Sequence, residues 1–542
     1  MHTLVLVVLI LAATAIGERA GDGSFMQNAL QALPFLNSFF DSNVTSVSKQ
    51  SADLEVWLRN EKQVALNGTL ANVAPGGRDM DDAVPGTVIA SPSKENPDYY
   101  YQWTRDAGIV LSSLIRFSGG QDNEIAPHLD VVMSSYIDLQ ERLQHTPNPS
   151  GTFDDLTSLG EPKFLVSGNP FTGSWGRPQR DGPALRVLNL IRYLRQYNAS
   201  HPSLWNSTEI PGTSDFFKTL YSAQLPPESI IKADLEYVSR FWQEEGFDLW
   251  EEVDGLHFFT AMVQMKALRE GASLAFAYAD DGAGEWYRQQ YRAMASNFIQ
   301  KFRDDSSGRI VSTLNTSRSG LDCSVVLGAL RSVFETSDVA PEDEDDLPFQ
   351  PWSDAILISA HDLVTDAATR FHINSNVSDD PSKSAFAGVG VGRYPEDTYD
   401  GYETANLGNP WFLCTSAIAQ LFYVLVDHYS SGTMSNRSPP GNLTITQLTC
   451  PFWADVNPSI ACDSPPQILQ PGTQIFLETM QRLGNTGDGF LSVVQKHTTD
   501  EGSMSEQFDR ETGFSRGAAD LTWSYAAFLD AVGWREKSLA KD

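Results

Sequence analysis

NPWFLCTSAIAQLFYVLVDHY, residues 409–429, sets apolar side chains at i, i+3 and i+4 along its length, the spacing of a helix face. The same period recurs in ALRVLNLIRYLRQY (184–197), FFTAMVQMKALREGASLAFAYA (258–279) and EWYRQQYRAMASNFIQKF (285–302). RDAGIVLSSLIRF (105–117) and AADLTWSYAAFLDAVG (518–533) carry it too. Alternating β-branched runs, the mark of half-buried strands, are few. No repeat, Ser/Thr-rich tether or second compositional zone interrupts the pattern. The sequence therefore predicts one large all-α domain over residues 51–535, preceded by a variable segment over 18–50.

Among the 542 residues, 41% are hydrophobic and 11% aromatic, enough to bury a substantial core. The formal net charge of −31 excludes a nucleic-acid partner, which calls for a basic face. A neutral or cationic partner fits, and 12 Trp with 17 Tyr suit stacking on sugar rings as well as core packing. LVLVVLILAATAIG, followed by polar chain, reads as a signal peptide over residues 1–17. No other run is long and charge-free enough to span a bilayer. Sequons at Asn43, Asn67, Asn198, Asn206, Asn315, Asn376, Asn436 and Asn442 support export and glycosylation. The expected protein is secreted, monomeric and free of membrane contact. The acidic run PEDEDDLPF (341–349) reads as a solvated loop.

Cys450 and Cys462 bracket a short Pro-containing stretch and are the expected disulfide. Cys414, on the apolar face of the 409–429 helix, reads as a buried free thiol, and Cys323 has no local partner. Nothing has metal-ligand spacing, so no metal or other cofactor is expected.

Between the helices lie Gly/Pro-rich loops in which carboxylates and arginines recur beside aromatic residues. NPDYYYQWTRDAG (96–108) holds Tyr99, Trp103, Arg105 and Asp106; GSWGRPQRDGPALR (173–186) holds Trp175, Arg177, Arg180 and Asp181. GRYPEDTY (392–399) adds Arg393, Glu396 and Asp397, and GSMSEQFDR (502–510) adds Glu506. Each pair alone reads as a structural Arg–Asp contact at a helix start. Recurrence in loop after loop points instead to one polar-aromatic pocket, with guanidinium and carboxylate groups for sugar hydroxyls and ring faces for sugar C–H groups. FDLWEEVDG (247–255) crowds Asp248, Trp250, Glu251 and Glu252. Two readings compete there: a helix N-terminus that attracts acids, and a catalytic carboxylic acid kept protonated by its neighbours.

Nine motifs occur in one order: ASPSKENPDYYYQWTRDAG, GEPKF, GSWGRPQRDGPALR, FDLWEEV, SRSG, VGRYPEDTY, GNPWFLCT, GSMSEQFD and DLTWSYAA. With them the chain resembles the fungal glucoamylases of glycoside hydrolase family fifteen, from about Leu54 to about Ala531. The resemblance implies an (α/α)6 barrel with a pocket at one end. It implies release of single glucose units from non-reducing ends of starch, glycogen and maltooligosaccharides, through α-1,4 and more slowly α-1,6 links. It places the general acid on Glu251 and the base of an inverting reaction on Glu506, which can approach from the opposite side of the sugar. Asp248, three residues before Glu251, is the alternative acceptor. Tyr99, Trp103, Arg105, Asp106, Trp175, Trp250, Glu252, Arg393 and Trp411 carry sugar recognition on the family pattern, with core packing the competing reading for Trp411 and for Trp523.

Two departures from the family pattern stand out. DGYETANL (400–407) is inserted before GNPW, near the expected pocket mouth, and the chain ends at Asp542, so no C-terminal starch-binding domain is expected. Rival readings are another inverting exo-glycosidase on this barrel, such as a glucodextranase or trehalase-like enzyme, and a catalytically dead sugar binder. The WEE and SMSEQ motifs favour the α-1,4 enzyme, and the presence of both Glu251 and Glu506 argues against a dead site.

Overall fold

The computed structural model describes residues 53–539 apart from 81, 119–125, 201–214, 334–346, 380–383, 432–440 and 464–465. The expected signal peptide, Asn43, Asn206, Asn436 and most of the acidic run 341–349 fall outside the described residues. The chain divides into Met1–Asn60, of which 53–60 are helical, and Glu61–Asp542, which holds the barrel.

Twelve helices of ten or more residues are found among the described residues of the larger unit. They are α1 (61–71), α2 (Thr104–Ser118), α3 (Ala126–Gln144), α4 (Gly182–Ser200), α5 (Ile230–Phe241), α6 (Phe258–Ala277), α7 (Asp281–Ala293), α8 (Cys323–Ser332), α9 (Asp354–Arg370), α10 (Phe412–Ser431), α11 (Gln474–His497) and α12 (Thr522–Leu539). The even-numbered helices form a closed ring, each packing on the next and α12 returning to α2. Odd-numbered helices back them: α3 on α2, α5 on α4, α7 on α6, α9 on α8 and α11 on α10. Lys62 on α1 donates to Glu536 on α12 at 2.9 Å. This is the expected (α/α)6 barrel.

Burial distinguishes the inner helices from the outer ones. In α6, 17 of 20 residues are buried, because an inner helix meets neighbours on every side. In α7 only Gly284, Tyr287 and Tyr291 are, and the rest are half-buried or exposed. The 285–302 period does not continue as one α-helix: after Ala293 it passes into a π turn, Met294–Phe298, and a 3-10 turn, Ile299–Phe302.

Two sequence readings are corrected. Cys414 is not a free thiol; it is disulfide-bonded to Cys323, 91 residues away, which joins α8 to α10, while Cys450 pairs with Cys462 as expected. The second concerns Phe412–Ser430, which does reach the length and mean hydropathy (1.2) of a membrane span. Its window is 89% buried, so the apolar surface is covered by the other barrel helices.

Since an outer helix separates each inner helix from the next, the six inner helices run parallel and open at one end of the barrel. Four short antiparallel strand pairs accompany them: β1 (Tyr101–Trp103) with β2 (Lys163–Leu165), β3 (Gly246–Phe247) with β4 (Asp254–Gly255), β5 (Leu443–Ile445) with β6 (Gln467–Leu469), and β7 (Gln507–Phe508) with β8 (Ser515–Arg516). Three carry site residues.

Candidate active site

A cavity of about 290 Å³ opens where the inner helices begin. Trp103 precedes α2, whose first turn brings Arg105 and Asp106; Trp411 precedes α10; Leu521 and Trp523 flank the start of α12. Helix N-termini point unpaired N–H groups and positive partial charge toward this end, which favours the carboxylates gathered there.

FDLWEEVDG is a hairpin, not a helix start. Phe247 pairs with Asp254, and the intervening turn is closed by Asp248, whose Oδ1 accepts from the backbone N–H of Glu252 (2.7 Å) and Val253 (3.0 Å). The turn forces Glu251 into the left-handed region, φ 67°, a conformation costing a non-glycine residue about 1–3 kcal/mol. Its Oε1 accepts from Trp103 Nε1 at 2.7 Å, Gln179 Nε2 at 2.9 Å and Arg105 Nη2 at 3.4 Å. Glu252 points elsewhere, to Arg393 Nη2 (2.9 Å), Arg318 Nη2 (2.6 Å) and the Tyr394 hydroxyl. Burial raises the Glu252 carboxyl, but Arg393, Tyr394 and Arg318 outweigh it and hold it below the ordinary range. Arg318 also lies 3.5 Å from Asp248. The negative charges of Asp248 and Glu252 beside Glu251 are therefore locally compensated. Asp248 is buried and does not line the cavity.

Glu506 comes from the opposite end of the chain, just before β7, and lines the same cavity. Only 2% exposed, it accepts from the Tyr99 hydroxyl at 3.0 Å, and Tyr399 stands 3.1 Å from that hydroxyl. Burial pushes its carboxyl up to about 7, against the lowering pull of Tyr99 and Arg393. Arg105 is held by Gln179 (2.6 Å) and Asp181 (3.3 Å), with Asp106 3.5 Å away. Burial raises Asp106 to about 7 despite Arg105. Arg393 makes a two-pronged contact with Asp397 (2.8 and 2.6 Å) and lies 5.0 Å from the Trp411 ring centroid and 5.3 Å from Trp250. Trp250, Trp411 and Trp523 pack edge-on at 5.5–6.2 Å, and Trp250 Nε1 donates to Asp322, the N-cap of α8.

Residues 63–533 match the model of the glycosyl hydrolases family 15. The chain belongs to that family. It is 38% identical over 511 residues to a glucoamylase of Saccharomycopsis fibuligera, covering 90% of this chain and 91% of that one. It is 34% identical to the intracellular sporulation-specific glucoamylase of Saccharomyces cerevisiae, with 90% and 85% covered. The solved Saccharomycopsis fibuligera glucoamylase superposes with a TM-score of 0.77 at 35% identity, covering 90% of this chain and 96% of that one. The family 15 glucoamylase of Hypocrea jecorina gives 0.74 at 34%, covering 89% and 72%. As a family member the chain is a glycoside hydrolase of the glucan 1,4-α-glucosidase class.

Of the residues that the family resemblance assigned to the site, all but Asp248 line the cavity: Tyr99, Trp103, Arg105, Asp106, Trp175, Trp250, Glu251, Glu252, Arg393, Trp411 and Glu506; Asp181, Glu396 and Asp397, read into the same pocket from their loops, do not. Trp411 and Trp523 face it as well as the core. Sequence reasoning missed Tyr399 and Thr404, which line it, and Gln179, Arg318, Tyr394 and Asp322, which hold its residues. Gln179, Arg318, Tyr394 and Tyr399 sit inside motifs that carry the family resemblance, so a signal for them existed. Arg177 and Arg180 turn away, to Glu161 and Glu244. Thr404 brings the 400–407 stretch to the cavity wall. The sequons Asn67, Asn315, Asn376 and Asn442 are exposed, and Asn198 is half-buried.

Proposed function

We propose that this chain hydrolyses terminal α-1,4-linked glucose, and more slowly α-1,6-linked glucose, from non-reducing ends of starch, glycogen and maltooligosaccharides, inverting to β-D-glucose. Glu251 is the general acid and Glu506 the base that activates water. The observation that carries this reading is two separately held carboxylates on one cavity. Glu251 sits on a strained turn under Trp103, Gln179 and Arg105; Glu506 is buried behind Tyr99 at the far end of the sequence. Inversion needs that division, with an acid at the leaving oxygen and a base across the ring with room for a water. Arg105, Asp106 and Arg393 grip the hydroxyls of the terminal sugar. Glu252, aimed at Arg393 and Arg318, serves the leaving-group side, and Trp175, Trp250 and Trp411 stack. Asp248 is the hairpin clasp rather than a proton acceptor.

Export is the proposed localisation, with the two disulfides and four exposed sequons in support. Glu251→Gln keeps the shape and removes the donated proton, which costs roughly 10²–10⁴ in kcat, with maltooligosaccharide binding retained. Proton NMR of the first minutes of maltose hydrolysis by the unaltered enzyme is expected to show the β-anomer. Near-normal turnover in the variant, or α-glucose first, contradicts the assignment.

A further inference from the structure

The motif GEPKF (160–164) supplies no group to the acid, the base or the sugar contacts. Its lysine is 2% exposed, and no carboxylate among the described residues lies within ion-pair distance of it. Lys163 is instead ringed by aromatic faces: Nζ lies 3.7 Å from the Trp175 centroid, 4.0 Å from Tyr101, and 4.4 Å from both Trp103 and Phe171. An ammonium over a ring face is attracted by the quadrupole, most strongly when desolvated. Burial lowers the Lys163 amine to about 8, with Glu251 and Asp98 opposing, so it is a cation at acidic and neutral pH.

The surroundings show what the cation organises. β2 pairs Lys163 directly across from Trp103, the residue that donates to Glu251. The backbone of the 171–177 loop is held by Arg177, which joins Glu161 of the same motif (2.9 Å) to the carbonyls of Phe171 and Gly173 (both 2.9 Å). The Trp175 ring has no such tether. Its Nε1 is buried without a hydrogen-bond partner, and its contacts are ring edges, Trp103 at 6.0 Å and Phe171 at 5.8 Å, with the ammonium at their centre.

We propose that Lys163 is a positioning residue of the catalytic centre: its ammonium, shared among four rings, fixes Trp175 on the cavity wall and Trp103 against Glu251. This rests on Glu251 being the acid. A double-mutant cycle with Lys163→Met, Trp175→Leu and the combined variant tests it on the full chain, reading kcat and KM on maltose and maltoheptaose. Lys163→Met is expected to lower kcat/KM roughly tenfold to thirtyfold beside Trp175. In the Trp175→Leu background the same change is expected to cost less than about threefold, since coupled residues are not additive. Equal losses in both backgrounds overturn the proposal, because a merely structural lysine has no reason to act through one tryptophan. If the methionine variant does not fold, Lys163→Arg, which keeps the charge but moves its centre, is run through the same cycle with the same criterion. Activity in Glu251→Gln marks failure of the acid assignment, and additivity with an inactive Glu251→Gln marks failure of this proposal alone.

Discussion

Gly517 illustrates how closely single atoms are constrained around the proposed base. Its φ of 76° is a glycine conformation, and a Cβ there would meet Glu506 Oε2 at 2.6 Å. Gly517→Ala is therefore expected to displace that carboxylate from Tyr99. A misplacement of about 1 Å near the chemistry can cost roughly 10²-fold, so kcat should fall by about that factor, with a smaller loss of thermal stability. Unchanged kcat in a folded variant would mean that Glu506 does not act where proposed. Little of this was legible in advance. Sequence reasoning found Glu251 and Glu506 through their motifs, but a left-handed glutamate carries no sequence signal, and the φ at Glu251 follows from Asp248 closing the turn.

At the level of elements, the two disulfides do different work. Cys450–Cys462 closes a separation of 12 residues, whereas Cys323–Cys414 closes 91 and joins neighbouring inner helices. Cys323 also donates its backbone N–H to the Arg393 carbonyl at 2.7 Å, beside the Asp322 that holds Trp250. Loop-closure entropy puts the longer closure at roughly 5 kcal/mol and the shorter at roughly 3 kcal/mol. Replacing Cys323 and Cys414 by Ala should lower unfolding stability more than replacing Cys450 and Cys462, as read from denaturant titrations; equal losses contradict this account. The local pair was visible because its cysteines bracket one short stretch. The distant pair was not, since only the closed ring sets α8 beside α10.

Across the whole molecule, burial of acids makes stability depend on pH. Glu61, Asp106, Asp322 and Glu506 are each buried and raised to about 7, burial being the largest cause. A carboxyl raised in the folded state contributes stability that is complete below its unfolded value, about 4, and is lost as pH rises through about 7. His361, raised to about 9 by Asp362 and Asp455 against burial, acts in the same direction. His428, lowered by burial to about 4, opposes, since its contribution is lost on acidification. His497, also lowered by burial, opposes likewise; four carboxyls with His361 outweigh these two histidines, and the net charge of −31 adds repulsion that protonation relieves. Tm is expected to rise by a few degrees from about pH 7.5 to about pH 5; calorimetry showing a fall over that range would refute it.

What the sequence determined by itself was the class of fold and the chemistry on offer. Apolar residues at helical spacing in 258–279 and 409–429 can be buried only as helices, whatever packs on them, because each helix satisfies its own backbone hydrogen bonds. The recurrent Arg, Asp and Trp loops likewise advertised a polar-aromatic pocket. Tertiary structure alone decided which helices face inward and which acids share a cavity. Glu251 and Glu506 stand 255 positions apart, and Asp248 stands three from Glu251, yet it is the distant pair that lines the cavity. The hairpin turn sends Asp248 back to its own backbone, and closure of the ring carries the start of α12 around to the start of α2.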